Sequence, residues 1–271
     1  MLVEKLQKKE HELTRALYEE CFPKDSARFV DYYYSYKATD NEIYVIRDGK
    51  KIVSMVHLNP YRMQVGSHVE TLHYIVAVAT AKAYRGRGCM DKLMSHVLDV
   101  MYDRGESFTF LMPVSEELYE KYDFVTVYRQ SYYKVEHPVK WQRELEDAGY
   151  SFRKAIEPDC ADLAKKATAL LSRRYDIYAI RNAYYYETLL EEQKAQKGGI
   201  MMIEHDDKLI GMYLYDREEG FEIREPLIEK KYEKTVFGAL QRCHHTNMMV
   251  RVLCRENLSV PMKNLFLNEI V

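Results

Sequence analysis

The stretch from His68 to Met101 constrains this chain more than any other. A β-like run, His68 to Thr80, carries Tyr74, Ile75, Val76 and Val78 at its centre and leads into Arg85-Gly-Arg-Gly88. A helix pattern follows at Met90, Leu93, Met94, Val97, Leu98 and Met101, closed by Arg104-Gly105. A strand, a glycine-rich turn and a helix in that order build a generic anion site. The helix start leaves backbone N–H groups unpaired and carries about half a positive charge. Gly86 and Gly88 let those amides approach an anion with no Cβ in the way. Arg85 and Arg87 add charge in a form that grips phosphate oxygens two at a time. The stretch therefore predicts a phosphate or pyrophosphate site. It is not a P-loop, because G-x-x-x-x-G-K-[ST] is absent. It is not the dinucleotide fingerprint either, because position 91 is Asp where the third glycine belongs.

A chain of 271 residues fits two domains at roughly 150 residues each. Leu6, Leu13, Leu17 and Cys21 stripe one face of an expected helix from Leu2 to Cys21, stopped by Phe22-Pro23. A second helix is expected over Ser26 to Tyr36. Two β runs, Glu42 to Arg47 and Lys50 to Leu58, meet across Asp48-Gly49, a strong hairpin turn. Ser107 to Met112 reads as a strand, Glu116 to Tyr122 as a short helix capped by Ser115, and Phe124 to Val135 as a strand. After a boundary at Glu136 to Gly149 the pattern restarts. Helices are expected at Pro158 to Ser172 and Tyr178 to Gln196, then two β runs within Ile200 to Tyr215. A β run at Phe221 to Arg224, a helix from Lys231 to Cys243, and closing strands at Met248 to Cys254 and Leu265 to Val271 complete the reading. Helices followed by a hairpin thus occur twice, and the second copy has no glycine loop. The expected fold is α/β (α+β), with domains at 1–136 and 151–271 and a linker at 137–150.

Composition sets limits on function. Hydrophobic residues are 47% and charged residues 30%, with a formal net charge of −2. No global field recruits nucleic acid or an anionic membrane, and no run approaches the ~20 apolar residues of a membrane span. Five cysteines, scattered and odd in number without C-x-x-C spacing, argue against disulfides and zinc and for a reducing, cytoplasmic setting. The 24 tyrosines against one tryptophan, Trp141, read first as packing residues on half-buried faces.

The run Val78-Ala-Thr-Ala-Lys-Ala-Tyr-Arg-Gly-Arg-Gly-Cys-Met90 resembles motif A of the GNAT superfamily of N-acetyltransferases, whose core is [Q/R]-x-x-G-x-[G/A]. Arg85 takes the first place and Gly88 the central glycine, while Met90 stands where glycine or alanine is usual. Glu117-Leu-Tyr-Glu-Lys-Tyr-Asp-Phe124 resembles the family's L-Y-x-x-x-G-F segment, with Asp123 in the glycine's place. The repeated pattern further resembles the Eis-like (enhanced intracellular survival) acetyltransferases of bacteria. It implies tandem GNAT-like folds, each a mixed, mostly antiparallel sheet flanked by helices. Met248-Met-Val-Arg-Val252 and Asn268-Glu-Ile-Val271 look like the entry to those relatives' C-terminal sterol-carrier-like domain, most of it absent here.

The resemblance implies acetyl-CoA as co-substrate, no metal, and transfer of acetyl to a primary amine by direct attack on the thioester. The amine would belong to a small molecule or a lysine, and a homo-oligomer is possible. It further implies that backbone groups of Val78, Ala79 and Thr80 pair with the pantetheine arm. Arg85, Gly86, Arg87, Gly88, Cys89, Met90 and Asp91 would cradle the pyrophosphate, with Ser115 near the thiol end. Tyr119 falls where many relatives carry the tyrosine that protonates the departing thiolate, a fit role for a phenol of pKa about 10. The same relatives use their terminal carboxylate as base, which here is that of Val271. Glu70 and His73, at the start of the strand before the loop, are alternative bases. Glu116, Glu117, Glu187, Glu191 and Glu192 could make the cleft acidic for a cationic amine. A reading of a different class is a sensor that binds acetyl-CoA without turnover.

Overall fold

The computed structural model describes residues 2–217 and 220–268, apart from the side chains of 245 and 246. Val271, the candidate terminal base, lies outside the described residues. The first half runs β1 (Val3–Lys5), α1 (Arg15–Cys21), α2 (Ala27–Ser35), β2 (Glu42–Asp48), β3 (Lys51–Val65), β4 (His68–Thr80), α3 (Cys89–Asp103), β5 (Phe108–Leu111), α4 (Glu117–Glu120) and β6 (Val125–Lys134). The second runs α5 (Pro138–Asp147), β7 (Tyr150–Lys154), α6 (Cys160–Leu171), β8 (Ile177–Ala179), α7 (Ala183–Ala195), β9 (Gly199–His205), β10 (Lys208–Asp216), β11 (Glu222–Ile228), α8 (Lys230–Phe237), β12 (Gln241–Val252) and β13 (Leu265–Phe266). Two helices, a hairpin, a third strand and a helix occur in both halves, as α1 to α3 and as α6 to α8.

All strands join one mixed, mostly antiparallel sheet in the order β1-β2-β3-β4-β5-β12-β6-β11-β10-β9-β7, with β8 attached to β3 and β13 attached to β8. The two halves are therefore stitched by hydrogen bonds. β12 of the second half lies between β5 and β6 of the first, placing Val250 opposite Phe110 and Met248 opposite Tyr128. Helices cover both faces over separate apolar clusters. One holds α3 through Leu93, Met94, Val97, Leu98 and Met101, and another gathers the tyrosines of α2. The segment 137–150 is mostly the helix α5, whose Trp141 and Leu145 pack into a cluster with Tyr213 and Phe237 of the second half. No helix among the described residues is long and apolar enough to cross a membrane.

Several expected boundaries are corrected. The chain opens with a strand, because Val3–Lys5 pairs with Tyr44–Ile46 of β2, and 8–14 form a tight 3-10 turn before α1. β3 continues to Val65, past Leu58. Ile177–Ala179 is a strand against Met63–Val65, not the start of a helix. The helix expected to reach Cys243 ends at Phe237, and Gln241 already belongs to β12.

Candidate active site

β4 and β5 pair in parallel at Tyr74 and Phe110 and then part. Just beyond, Met55 of β3 faces Ala79 and His57 faces Val76, so two residues of β4 oppose Val56. This bulge holds Ala77 at φ +50°, a left-handed conformation that costs a non-glycine residue about 1 kcal/mol and recurs beside functional sites. The parting leaves two adjoining cavities that share Phe22, Val78, Val114 and Tyr119 in their walls. One, of about 330 Å³, follows β4 from Tyr74 to Val78. The other, of about 580 Å³, is floored by Thr80, Arg85, Gly86 and the start of α3.

At the loop, Gly86 and Gly88 have φ of +73° and +74°, and a Cβ on either would meet only open space. A side chain there is disfavoured by backbone conformation and not by crowding. Gly88 is the N-cap of α3 and brings no side chain to cap it. The first helical bond runs from the Lys92 N–H to the Gly88 carbonyl, 3.1 Å, which leaves the amides of Cys89, Met90 and Asp91 for an outside acceptor. These donors fit the pyrophosphate of a CoA thioester. Arg85 is braced by its Nε donating to the Thr80 carbonyl at 3.1 Å. The Arg87 guanidinium lies 5.0 Å from the Tyr84 ring and outside the cavity walls. Asp91 accepts from Lys121 Nζ and the Tyr122 hydroxyl, and these bonds hold its carboxyl below the usual range. Lys121, which the sequence did not single out, thereby stands at the mouth of the loop cavity.

Tyr119 enters from α4 and lines both cavities. Its ring meets Phe124 edge-on at 6.1 Å, and burial pushes its pKa up to about 12. Asp123, standing in the expected glycine's place, adopts φ +62°. The turn keeps a left-handed residue there, and Asp is one of the few others that tolerate it. Met90 replaces a small residue without blocking the loop, for its side chain forms part of the cavity wall. Ser115 does not cap α4, whose N-cap is Glu116. Neither Ser115 nor Ala79 reaches the cavity walls, and the Ala79 carbonyl accepts from Ser54 Oγ at 2.9 Å.

Glu70 lies toward the start of β4, and His73 directly precedes Tyr74 of the cleft; neither lines the cavities. His73 is sealed against Glu106, with Nδ1 2.8 Å from Oε1 and its backbone N–H donating to Oε2 at 3.1 Å. Glu70 accepts from the Ser107 N–H and faces His68 Nε2, both at 3.2 Å. Both side chains are thus engaged outside the cleft walls. The glutamates expected to acidify the cleft are also elsewhere: Glu192 is buried beneath the Tyr32 hydroxyl at 3.1 Å, and Glu116 accepts from Thr126 and Asn247. The carboxylates in the cleft wall are Asp25 and Asp216. Asp25 accepts from the Tyr18 hydroxyl at 2.8 Å, and Asp216 pairs with Arg224 at 3.0 Å. Asp216, Arg224 and Gln196 come from the second half, so both halves wall this end of the cleft. All five cysteines are free, and among the described residues no cluster of three or more His, Cys, Asp or Glu is arranged for a metal.

This geometry coincides with a family match. Residues 3–127 match the model of the acetyltransferase (GNAT) domain, so the first half is similar to a domain of acetyltransferase enzymes. Three solved structures extend the likeness across both halves. A protein of unknown function from Enterococcus faecalis, described as a probable N-acyltransferase, superposes with a TM-score of 0.73 at 16% identity, over 94% of this chain and 73% of that one. A GCN5-related N-acetyltransferase from Anabaena variabilis gives 0.68 at 16% identity, over 93% and 73%. Eis1 from Mycobacterium abscessus gives 0.66 at 10% identity, over 93% and 74%. At such identities the likeness establishes the fold. A comparison with curated proteins found no match.

Proposed function

We propose that this protein is an acetyl-CoA-dependent N-acetyltransferase acting on a primary amine of a small molecule or a lysine side chain. The observation that carries the reading is one continuous lining, from the open amides at Cys89–Asp91 to Tyr119, along the gap between β4 and β5. Acetyl-CoA supplies an acyl thioester, whose carbonyl carbon bonds the amine nitrogen as the carbon–sulfur bond breaks. The loop amides and Arg85 hold the diphosphate, and the bulged edge of β4 at Val76 to Val78 orients the arm. Tyr119 gives its proton to the departing sulfur and regains one from solvent. Its raised pKa keeps it protonated throughout the neutral range. The amine proton leaves through water or to Asp25 or Asp216, which also suit a cationic acceptor.

We further propose that 1–136 and 151–271 are two GNAT-like folds in the Eis-like manner, joined through 137–150, with the second non-catalytic. The repeated element order supports this arrangement. The activity is tested by supplying acetyl-CoA and a panel of primary amines and following free thiol. The expected result is acceptor-dependent thiol release that Tyr119→Phe lowers strongly. Acetyl-CoA binding with no release for any amine would favour a sensor instead.

A further inference from the structure

A second open cleft, of about 770 Å³, lies mainly among elements of the second half, with β6 of the first half in its wall. Its walls are β6, the end of α6, Pro226 in β11, the first turn of α8, and Phe266 with Asn268. Three of them, the end of α6, β11 and the start of α8, correspond by element order to walls of the first cleft: the end of a first helix, the third strand and the start of the following helix. The chemistry differs. Six cations line it: Arg129, Arg173, Arg174, Lys230, Lys231 and Arg242, against two carboxylates, Glu229 and Glu233.

Those carboxylates are already engaged. Glu229 is paired by Lys166 at 2.7 Å and by Lys231 at 3.8 Å, and Glu233 by Lys230 at 3.2 Å. Arg174 donates to the Ile228 carbonyl and Arg242 to Ser131 Oγ, neutral acceptors that leave the charge uncancelled. Arg129 and Arg173 make no hydrogen bond or close ion pair with any described residue; at longer range Arg173 acts on Glu229 and Arg129 on Glu116, each helping to lower that carboxyl's pKa. A chain of net charge −2 thus concentrates an excess of positive charge in one concavity, where a low-dielectric wall focuses the field. The wall also carries rings: Tyr175 packs against Phe266 at 5.0 Å and Tyr133 stacks on Phe237 at 5.3 Å.

We propose that this cleft binds a small phosphorylated anion, held by arginine side chains where the first cleft uses glycine-loop amides. The volume is that of a small-molecule site, and the guanidinium fork matches phosphate oxygens. The cations gather inside a concavity rather than along a stripe, which suits a compact ligand better than a nucleic-acid backbone. The proposal does not depend on the acetyltransferase reading.

Inorganic pyrophosphate is the probe. It is titrated by calorimetry at low salt into the wild type, an Arg85→Glu/Arg87→Glu variant and an Arg129→Glu/Arg173→Glu variant, with Arg129→Ala/Arg173→Ala as a milder pair. Arg129 and Arg173 are exposed and make no bonds to lose, so wild-type melting is expected of their variants. The expected result is binding that survives the loop variant and weakens at least tenfold in the Arg129/Arg173 variants. The proposal is overturned by absence of binding in the wild type, or by binding that the loop variant abolishes and the Arg129/Arg173 variants leave unchanged.

Discussion

The two clefts sit at corresponding places in a repeated element order, and they recognise charge by opposite means. In the first half, helix α3 begins at a bare glycine in the left-handed region, and the donors are backbone amides. In the second half, helix α8 begins at Glu229, which is tied to Lys166, and the positive groups are side chains. An amide site is rigid and its geometry belongs to the fold, so little is lost to side-chain ordering when it binds. A side-chain site is adaptable and must be ordered on binding. The proposed acetyl-CoA site thus rests on the backbone of the first half, while Asp216, Arg224 and Gln196 of the second half line the other end of the same cleft.

The comparison breaks if the halves prove independent. β12 runs between β5 and β6, so truncating the second core should unsettle both halves together. Trp141→Ala, which removes a buried ring packed on Phe152, Tyr213 and Phe237, is expected to cost about 3 to 5 kcal/mol. Thermal unfolding followed by circular dichroism should stay a single transition at lower temperature. Two separated transitions would show two autonomous units.

Next in size is a pH effect at the seam. Glu192 of α7 is fully buried against Tyr32 of α2, and burial raises its pKa to about 7. A carboxyl raised in the folded state favours folding most below its unfolded pKa near 4.3. That advantage is lost as pH rises through about 7, on the order of 3 kcal/mol in all. Urea titrations of Glu192→Gln against wild type are expected to show the variant gaining relative stability between about pH 4 and pH 7, the span between the two pKa values. A constant difference across that range would contradict the assignment.

Within the first cleft, Tyr119→Phe should reduce kcat on the order of a hundredfold while leaving acetyl-CoA affinity unchanged. A matching loss of affinity would make Tyr119 a wall rather than a proton donor. The smallest effect sharpens the contrast between amide and side-chain recognition. Arg85→Ala is expected to weaken acetyl-CoA binding only several-fold, because the amides remain; a loss approaching that of a blocked loop would mean that arginine dominates here too.

Sequence carried local features well. The strand His68–Thr80, the glycine turn and the stripe of α3 were readable because each depends on neighbours in the chain. Tyr119 was legible only through resemblance, being otherwise one tyrosine among 24. What could not be read depends on distant pairing. Gln241–Cys243 resembled a helix end until paired with Tyr132–Lys134, more than a hundred residues earlier. Val3–Lys5 is a strand only because β2 offers an edge. Asp216 and Arg224 carry no local sign of a site, since the fold alone brings them to a cleft built by the other half. Glu70 and His73 were plausible by position along β4, but the cleft begins at Tyr74 and runs toward Val78, and neither residue lines it.

The measurement that bears most directly on the central claim is calorimetric titration of acetyl-CoA into wild type and Gly88→Trp, each first shown to be folded by its melting transition. A large side chain at a residue with φ +74° at the very start of α3 should close the amide site. Saturable one-site binding by the wild type, lost in the variant, is the predicted result. Equal binding by both proteins, or none by the wild type, would contradict it.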